Sequence, residues 1–237
     1  PRLVLPMLPE VLSNGVCSLQ EGVDRCAKSI FVRIDERGKV QDTRFHATLI
    51  NSDKRFTYLE AQAWIDGNGK TARKESRTNT EPAEAVLEAL RQSDRLSRVI
   101  RKRRQRRGMI SLNLPTSVLE FDEEGHVSDV HPEDDAFTHT IIEMFMVEAN
   151  EAVSRLFDGL GISILRRIHP EPAMDDLADL RMMAGASGFR VPDDPDRKDL
   201  QKLLNATRGH SASRAIHFAV LKTLTKAEYS PAAVGHF

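Results

Sequence analysis

Three pairs of adjacent carboxylates, Asp134 and Asp135, Asp175 and Asp176, and Asp193 and Asp194, are the residues in this sequence best suited to chemistry. Two-metal hydrolysis of a phosphodiester needs several such groups converging on one point. Each pair also has a simpler account. The first two stand where acids in an opening turn favour the positive end of a helix dipole, and the third lies between prolines in a loop. His131, His139 and His169 do not fall one turn apart on a helix, as a metal pair would, and no Ser, His, Asp order suggests nucleophilic catalysis. No GxGxxG or GxxxxGK pattern follows a strand, which argues against a nucleotide cofactor.

Charge distribution is more informative than any single group. The 237 residues carry 34 Lys and Arg against 35 Asp and Glu, a net charge of -1. Between Arg91 and Arg107 stand Arg91, Arg95, Arg98, Arg101, Lys102, Arg103, Arg104, Arg106 and Arg107, with Asp94 as the only acid. From Glu120 to Asp135 the sign reverses, with Glu120, Asp122, Glu123, Glu124, Asp129, Glu133, Asp134 and Asp135 and no Lys or Arg. Near-neutrality is thus a cancellation. A basic run gains affinity for phosphates by releasing their condensed counterions. The competing reading is a solvated helix face neutralised by the acidic stretch.

The elements that must carry these groups follow from periodicity. Pro9 to Leu12 begins a helical turn stopped by Ser13, Asn14 and Gly15. Ser29 to Asp35 and Val40 to Ile50 are rich in β-branched and aromatic residues and form a hairpin. Tyr58 to Ile65 has helical spacing, and Lys70 to Thr80 reads as a polar loop. Pro82 opens a long helix bearing the basic run. Met109 to Leu112 suggests a strand, and Val118 to Phe121 pairs with Val127 to Val130. Asp134 to Leu156 is the strongest helix, with an apolar stripe of Ile141, Ile142, Phe145, Met146, Ala149, Val153 and Leu156. Ser163 to Ile168 reads as a strand, followed by helices at Met174 to Ala186, Asp199 to Asn205 and Ser213 to Ala227. Strands first and helices later give an α+β class, mixed or antiparallel strands packed against helices, in a single domain over residues 1–237. An apolar content of 40% suffices for a core, and no run reaches the roughly 18 residues of a membrane span. Two cysteines, Cys17 and Cys26, make no disulfide framework, so a cytoplasmic, soluble protein is expected.

One block is more specific than composition. Pro6 to Leu19 reads PMLPEVLSNGVCSL, followed by Val23, Asp24 and Arg25. Later come Arg55-Phe56-Thr57-Tyr58, Arg107-Gly108-Met109-Ile110, Ile142 to Asn150 (IEMFMVEAN), Arg167 to Pro172 (RIHPEP), Ala227-Glu228-Tyr229 and His236-Phe237. In this order they resemble the catalytic RNB domain of the ribonuclease II and ribonuclease R family of exoribonucleases, across essentially the whole chain. The resemblance implies an RNB-like fold, incomplete at both ends. It also implies hydrolytic removal of nucleoside 5′-monophosphates from the 3′ end of single-stranded RNA, which runs through a basic channel to a magnesium (Mg2+) site. The family's metal-binding aspartates are expected before the PMLP block, and an assisting arginine in a TSPIRRY-like segment after the HF. Neither segment is in this chain, so no catalytic or metal residue is assigned here, and the chain alone is expected to bind RNA weakly without turnover.

The resemblance assigns the RNA path. Tyr58 matches the aromatic of an RLTY-like block. Glu143 matches the first acid of an IEE-type helix that approaches bases, while Met144 replaces the second. On an apolar helix Glu143 would otherwise be a costly buried charge. Leu112 stands where some relatives clamp terminal bases with phenylalanine, and it cannot stack as an aromatic does. Ser13 and Asn14 form the LSN turn, with hydrogen bonding inside the turn or contact with the RNA backbone as the alternatives. A monomer is expected. Two other readings are a non-catalytic RNB-like RNA-binding regulator or scaffold, and a protein-interaction domain whose basic helix meets an acidic partner.

Overall fold

The computed structural model describes residues 5–112, 114, 117–132, 134–172 and 174–232. Glu133 and the His236-Phe237 motif lie outside them. The class is α+β, with three two-stranded antiparallel sheets and seven α-helices among the described residues. Packing divides the chain into two compact units, residues 1–101 with 136–152, and residues 102–135 with 153–237.

In the first unit, β1 (Asp24–Ile34) pairs with β2 (Val40–Asn51), and Ser29 faces His46 across the ladder. The turn between them is built by Asp35, whose carboxylate accepts the backbone N–H groups of Lys39 at 2.8 Å and Arg37 at 3.0 Å. Gly38 there has φ 82°, a conformation an L side chain resists. The Lys39 N–H is the main reason the Asp35 carboxyl titrates below its ordinary range. Helix α1 (Tyr58–Ile65) has the bounds its spacing predicts. Thr57 caps it reciprocally with Glu60, the hydroxyl accepting the Glu60 N–H at 3.0 Å.

The polar stretch after Gly67 is partly helical, contrary to expectation. Helix α2 (Gly69–Glu75) forms because the Asn68 side chain accepts the Thr71 N–H at 3.1 Å and Ala72 is fully buried. The loop beyond is strapped down by Lys54, whose ammonium donates to Thr78 Oγ1, to Thr80 O at 2.7 Å and to Ser76 Oγ at 3.5 Å. It stands 3.7 Å from the Glu60 carboxylate, with both side chains almost fully buried.

Helix α3 (Glu84–Arg106) carries the basic run, and α4 (Phe137–Gly159) corresponds to the strongest predicted helix. The buried face of α4 is not the predicted stripe. It consists of Thr138, Ile141, Met144, Glu148 and Ala152, at steps of three and four, while Ile142 and Met146 are exposed. Polar Thr138 is admitted because its hydroxyl donates to the Tyr58 carbonyl at 2.8 Å. The buried acid on this helix is Glu148, not Glu143.

In the second unit, β3 (Ser117–Phe121) and β4 (Val127–Pro132) form the predicted acidic hairpin. Met109 to Leu112 is not a strand. Ile110 and Leu112 pack instead on a core of Leu180, Leu200, Leu203, Leu204, Ile216 and Val220, supplied by α5 (Met174–Ala186), α6 (Arg197–Ala206) and α7 (Ser213–Thr223). The predicted strand from Ser163 shortens to β5 (Arg166–Ile168), which pairs with β6 (Glu228–Ser230), an element with no sequence signal of its own.

Candidate nucleic-acid interface

Tyr58 is the first residue of α1, where the Thr57 cap fixes the backbone and leaves the side chain 43% exposed. Its ring stacks on His139 of α4, with centroids 3.7 Å apart and planes inclined by 27°. The Thr138 hydroxyl on the Tyr58 carbonyl holds the two helices in register beside this stack. Glu143 lies one turn further along α4 from His139, so the two side chains share a face. Glu143 is exposed, which removes the expected burial cost as a reason for its presence. Exposed Ile142 and Met146 flank it. Tyr58 and Glu143, 85 positions apart in sequence, are therefore brought to one surface through His139. His139 was missed as a candidate when histidines were considered only as metal ligands. Its spacing of four from Glu143 is the signal that could have found it.

Ser13 and Asn14 lie in the first unit, inside a π-helical turn (Val11–Val16) that they do not terminate. Gln20 Nε2 donates to the Asn14 carbonyl at 2.9 Å and Arg25 Nε to Ser18 O at 2.8 Å, which pins the turn through its backbone. Neither side chain makes the hydrogen bond within the turn that was one of the two expectations. Ser13 Oγ is buried with no hydrogen-bond partner among the described residues, and Asn14 is exposed.

Leu112 belongs to the second unit. It lines a cavity of about 330 Å³ with Gly108, Met109, Ile110, His169 and Leu224. His169 is oriented there with Nδ1 3.1 Å from Thr225 O, and the Thr225 hydroxyl donates to Pro170 O at 2.9 Å.

The basic run is divided in two. Arg91 pairs with Glu84 at 2.8 Å and Glu88 at 3.5 Å, Arg95 with Glu88 at 2.7 Å, and Arg98 with Asp94 at 2.9 Å. This first half is neutralised by carboxylates of its own helix, two of them upstream of the run, rather than by the acidic hairpin. Arg98 also lies over the Phe137 ring, 4.0 Å from its centroid. Two of the three carboxylate pairs follow their simpler accounts, whereas Asp134 and Asp135 precede α4, which starts at Phe137 and has no acid in its first turn. Asp175 and Asp176 occupy the first turn of α5, and Asp193 accepts from Arg181 in its loop. Among the described residues no three His, Cys, Asp or Glu side chains are grouped to hold a metal. Among them, too, no helix is long and apolar enough to cross a membrane.

Comparison with known proteins supplies the wider context. Ribonuclease R of Aquifex aeolicus (strain VF5) is 31% identical over 239 residues, covering 100% of this chain and 33% of that protein. Ribonuclease R of Chlamydia muridarum (strain MoPn / Nigg) is 33% identical over 239 residues, with the same 100% and 33% coverage. The chain thus spans about a third of the length of the curated relatives it matches. Among solved structures, Mycoplasma genitalium RNase R in complex with ribose methylated single-stranded RNA superposes with a TM-score of 0.87 at 28% identity, over 98% of this chain and 35% of that one. The same enzyme in complex with double-stranded RNA gives a TM-score of 0.86 over 98% and 40%. The RNB domain family matches residues 1–237 throughout, and the chain belongs to that family.

Proposed function

We propose that this chain supplies an RNA-holding surface of a ribonuclease R-type exoribonuclease that shortens single-stranded RNA hydrolytically from its 3′ end and releases nucleoside 5′-monophosphates. The observation that carries the reading is the exposed Tyr58 ring, backed by His139 and placed on one face with Glu143. A half-exposed aromatic held rigidly against a second ring is a platform on which a base can stack without regard to sequence. Glu143, a carboxylate with no carboxylate neighbour in sequence, suits the exocyclic amines of bases better than phosphates. Exposed Asn14 offers a polar side chain to the backbone, while the Ser13 hydroxyl is buried and offers none, and Leu112 offers apolar contact to a base. The solved complexes of Mycoplasma genitalium RNase R with RNA support RNA as the ligand.

Magnesium dependence is proposed for the full-length protein, with ligands from outside the described residues. Turnover likewise belongs to the full-length protein, acting in the cytoplasm as a monomer. The deciding experiment is degradation of RNA labelled separately at its 3′ and 5′ ends by that protein, with and without magnesium. Stepwise shortening from the 3′ end that needs the metal is expected. Binding without shortening would identify a non-catalytic RNA-binding protein instead.

A further inference from the structure

We infer that the second unit contains a phosphate-binding cleft for a nucleotide or an RNA backbone, lined by Lys102, Arg106, Ser111, Asn205 and Arg208. The inference goes beyond the RNA surface proposed above, since none of these residues belongs to the face bearing Tyr58 and Glu143.

The cleft has a volume of about 340 Å³, within the range typical of small-ligand sites. It opens where α3 ends at Arg106 and α6 ends at Ala206. Its walls are fixed. The Gln201 amide donates to Gln105 O at 2.8 Å and to Met109 O at 2.9 Å, so one side chain ties α6 to the end of α3. Gly108 permits the closeness with φ 92°, and a Cβ there would stand 3.3 Å from Arg197 Cβ. At the other end the buried Thr207 hydroxyl caps α6 on Leu203 O at 3.0 Å and Leu204 O at 3.2 Å. Buried Leu204 and half-buried Met109 supply apolar lining against which a ribose or base could rest.

Its chemistry is one-sided. Among the described residues no carboxylate lines the cleft, although the chain as a whole has one more acid than base. Lys102 and Arg208 are exposed and have no carboxylate within ion-pair distance among the described residues, unlike Arg91, Arg95 and Arg98 on the same stretch. Helix dipoles give a competing reason for cations here, because two helix C-termini meet at the cleft. Each end amounts to about half a negative charge, so Lys102 and Arg208 together already exceed them. The surplus suits a single phosphate group, whether a diester of RNA or the monoester of a released nucleotide. The Ser111 hydroxyl and the Asn205 amide make no side-chain hydrogen bonds among the described residues and can donate to its oxygens.

The test is titration of the 237-residue protein with inorganic phosphate, a nucleoside 5′-monophosphate and a single-stranded RNA oligonucleotide, for wild type and Lys102→Gln/Arg208→Gln. These side chains are exposed, so circular dichroism should be unchanged, and Lys102→Arg serves as the charge-preserving control. We expect the double variant to lose at least about tenfold in affinity for at least one probe, matching loss of charged hydrogen bonds, while Lys102→Arg stays near wild type. A loss for the free phosphates identifies a nucleotide site. If only RNA is affected, with its salt slope lowered by about 1.4, the cleft holds the backbone. Equal affinity of wild type and double variant for all three probes overturns the inference, and the Tyr58 surface is then judged separately by Tyr58→Ala. Phosphate binding with no RNA binding would sustain the cleft and sink the RNA reading.

Discussion

Replacing Tyr58 with alanine is the sharpest test of the RNA surface, because the geometry limits what the ring can do. His139 covers one face of the ring at 3.7 Å, so the remaining exposed surface can accept one base and not two. Stacking on an aromatic contributes about 1–3 kcal/mol per base, so Tyr58→Ala should weaken single-stranded RNA binding roughly 5- to 150-fold. The backbone contacts of this position do not depend on the ring: Thr57 caps α1 and Thr138 donates to the Tyr58 carbonyl in either variant. Tyr58→Phe keeps the stacking surface and should bind within about twofold of wild type. Fluorescence anisotropy with a labelled oligonucleotide across a salt series separates stacking from charge. The curves for Tyr58→Ala should shift in affinity at unchanged slope, since no phosphate contact is lost. An alanine variant that binds RNA as tightly as wild type would refute the stacking assignment, and a changed slope would show that the substitution disturbed cations instead.

Other outcomes follow from the same geometry. His139→Ala removes the backing ring, worth about 0.5–1.5 kcal/mol for an aromatic pair, and should weaken RNA binding up to about tenfold with Tyr58 intact. Lys54→Met strands the buried Glu60 carboxylate; a broken buried pair costs about 3–5 kcal/mol, which in a chain of this size lowers Tm by roughly 6–20 °C. Lys54→Met/Glu60→Gln should recover part of that loss in the same melt, and full stability of the single variant would contradict the buried pair. His131 titrates above its ordinary value, first because its ring faces Pro132 O at 3.1 Å and then because Glu120 lies at 3.1 Å. The shift is upward, so its contribution to the β3–β4 hairpin is fully present below the unfolded value near pH 6.5 and fades as pH rises through the folded one. An NMR midpoint for His131 at or below that of an unfolded peptide would disprove the contact.

Sequence reading succeeded where local chemistry decides the outcome. The helical spacing of Tyr58 to Ile65 and the turn after Phe121 each specify their element within a few residues. Failures came where a distant partner overrides the local pattern. Met109 to Leu112 has strand composition, yet Gln201, about ninety positions away, takes the carbonyl of Met109, and the three-helix core takes the side chains of Ile110 and Leu112. The stripe of α4 was misplaced for a related reason. Apolar periodicity cannot anticipate that a threonine will be buried because a tyrosine carbonyl 80 residues away accepts its hydroxyl. The candidate site shows the same division. Motif order placed Tyr58 and Glu143 as separate points, and only the fold shows that His139 joins them.

The basic run shows why charge read along a sequence misleads on a helix. Nine cations between Arg91 and Arg107 look like one polyanion site when the only acid counted is Asp94. In three dimensions a helix brings residues three, four and seven apart together, so Glu84 and Glu88, outside the run, pair with Arg91 and Arg95. Exposed pairs of this kind contribute little stability, but they occupy the cations in local contacts and weaken the field offered to a ligand. One turn past Arg98 the helix enters the second unit, where Lys102 lines a cleft that has no carboxylate among its described lining residues. On the inference above, the attraction for phosphate comes from Lys102 with Arg208 rather than from the run as a whole. Arg91→Gln and Arg95→Gln should leave the salt slope of RNA binding nearly unchanged, while Lys102→Gln should lower it.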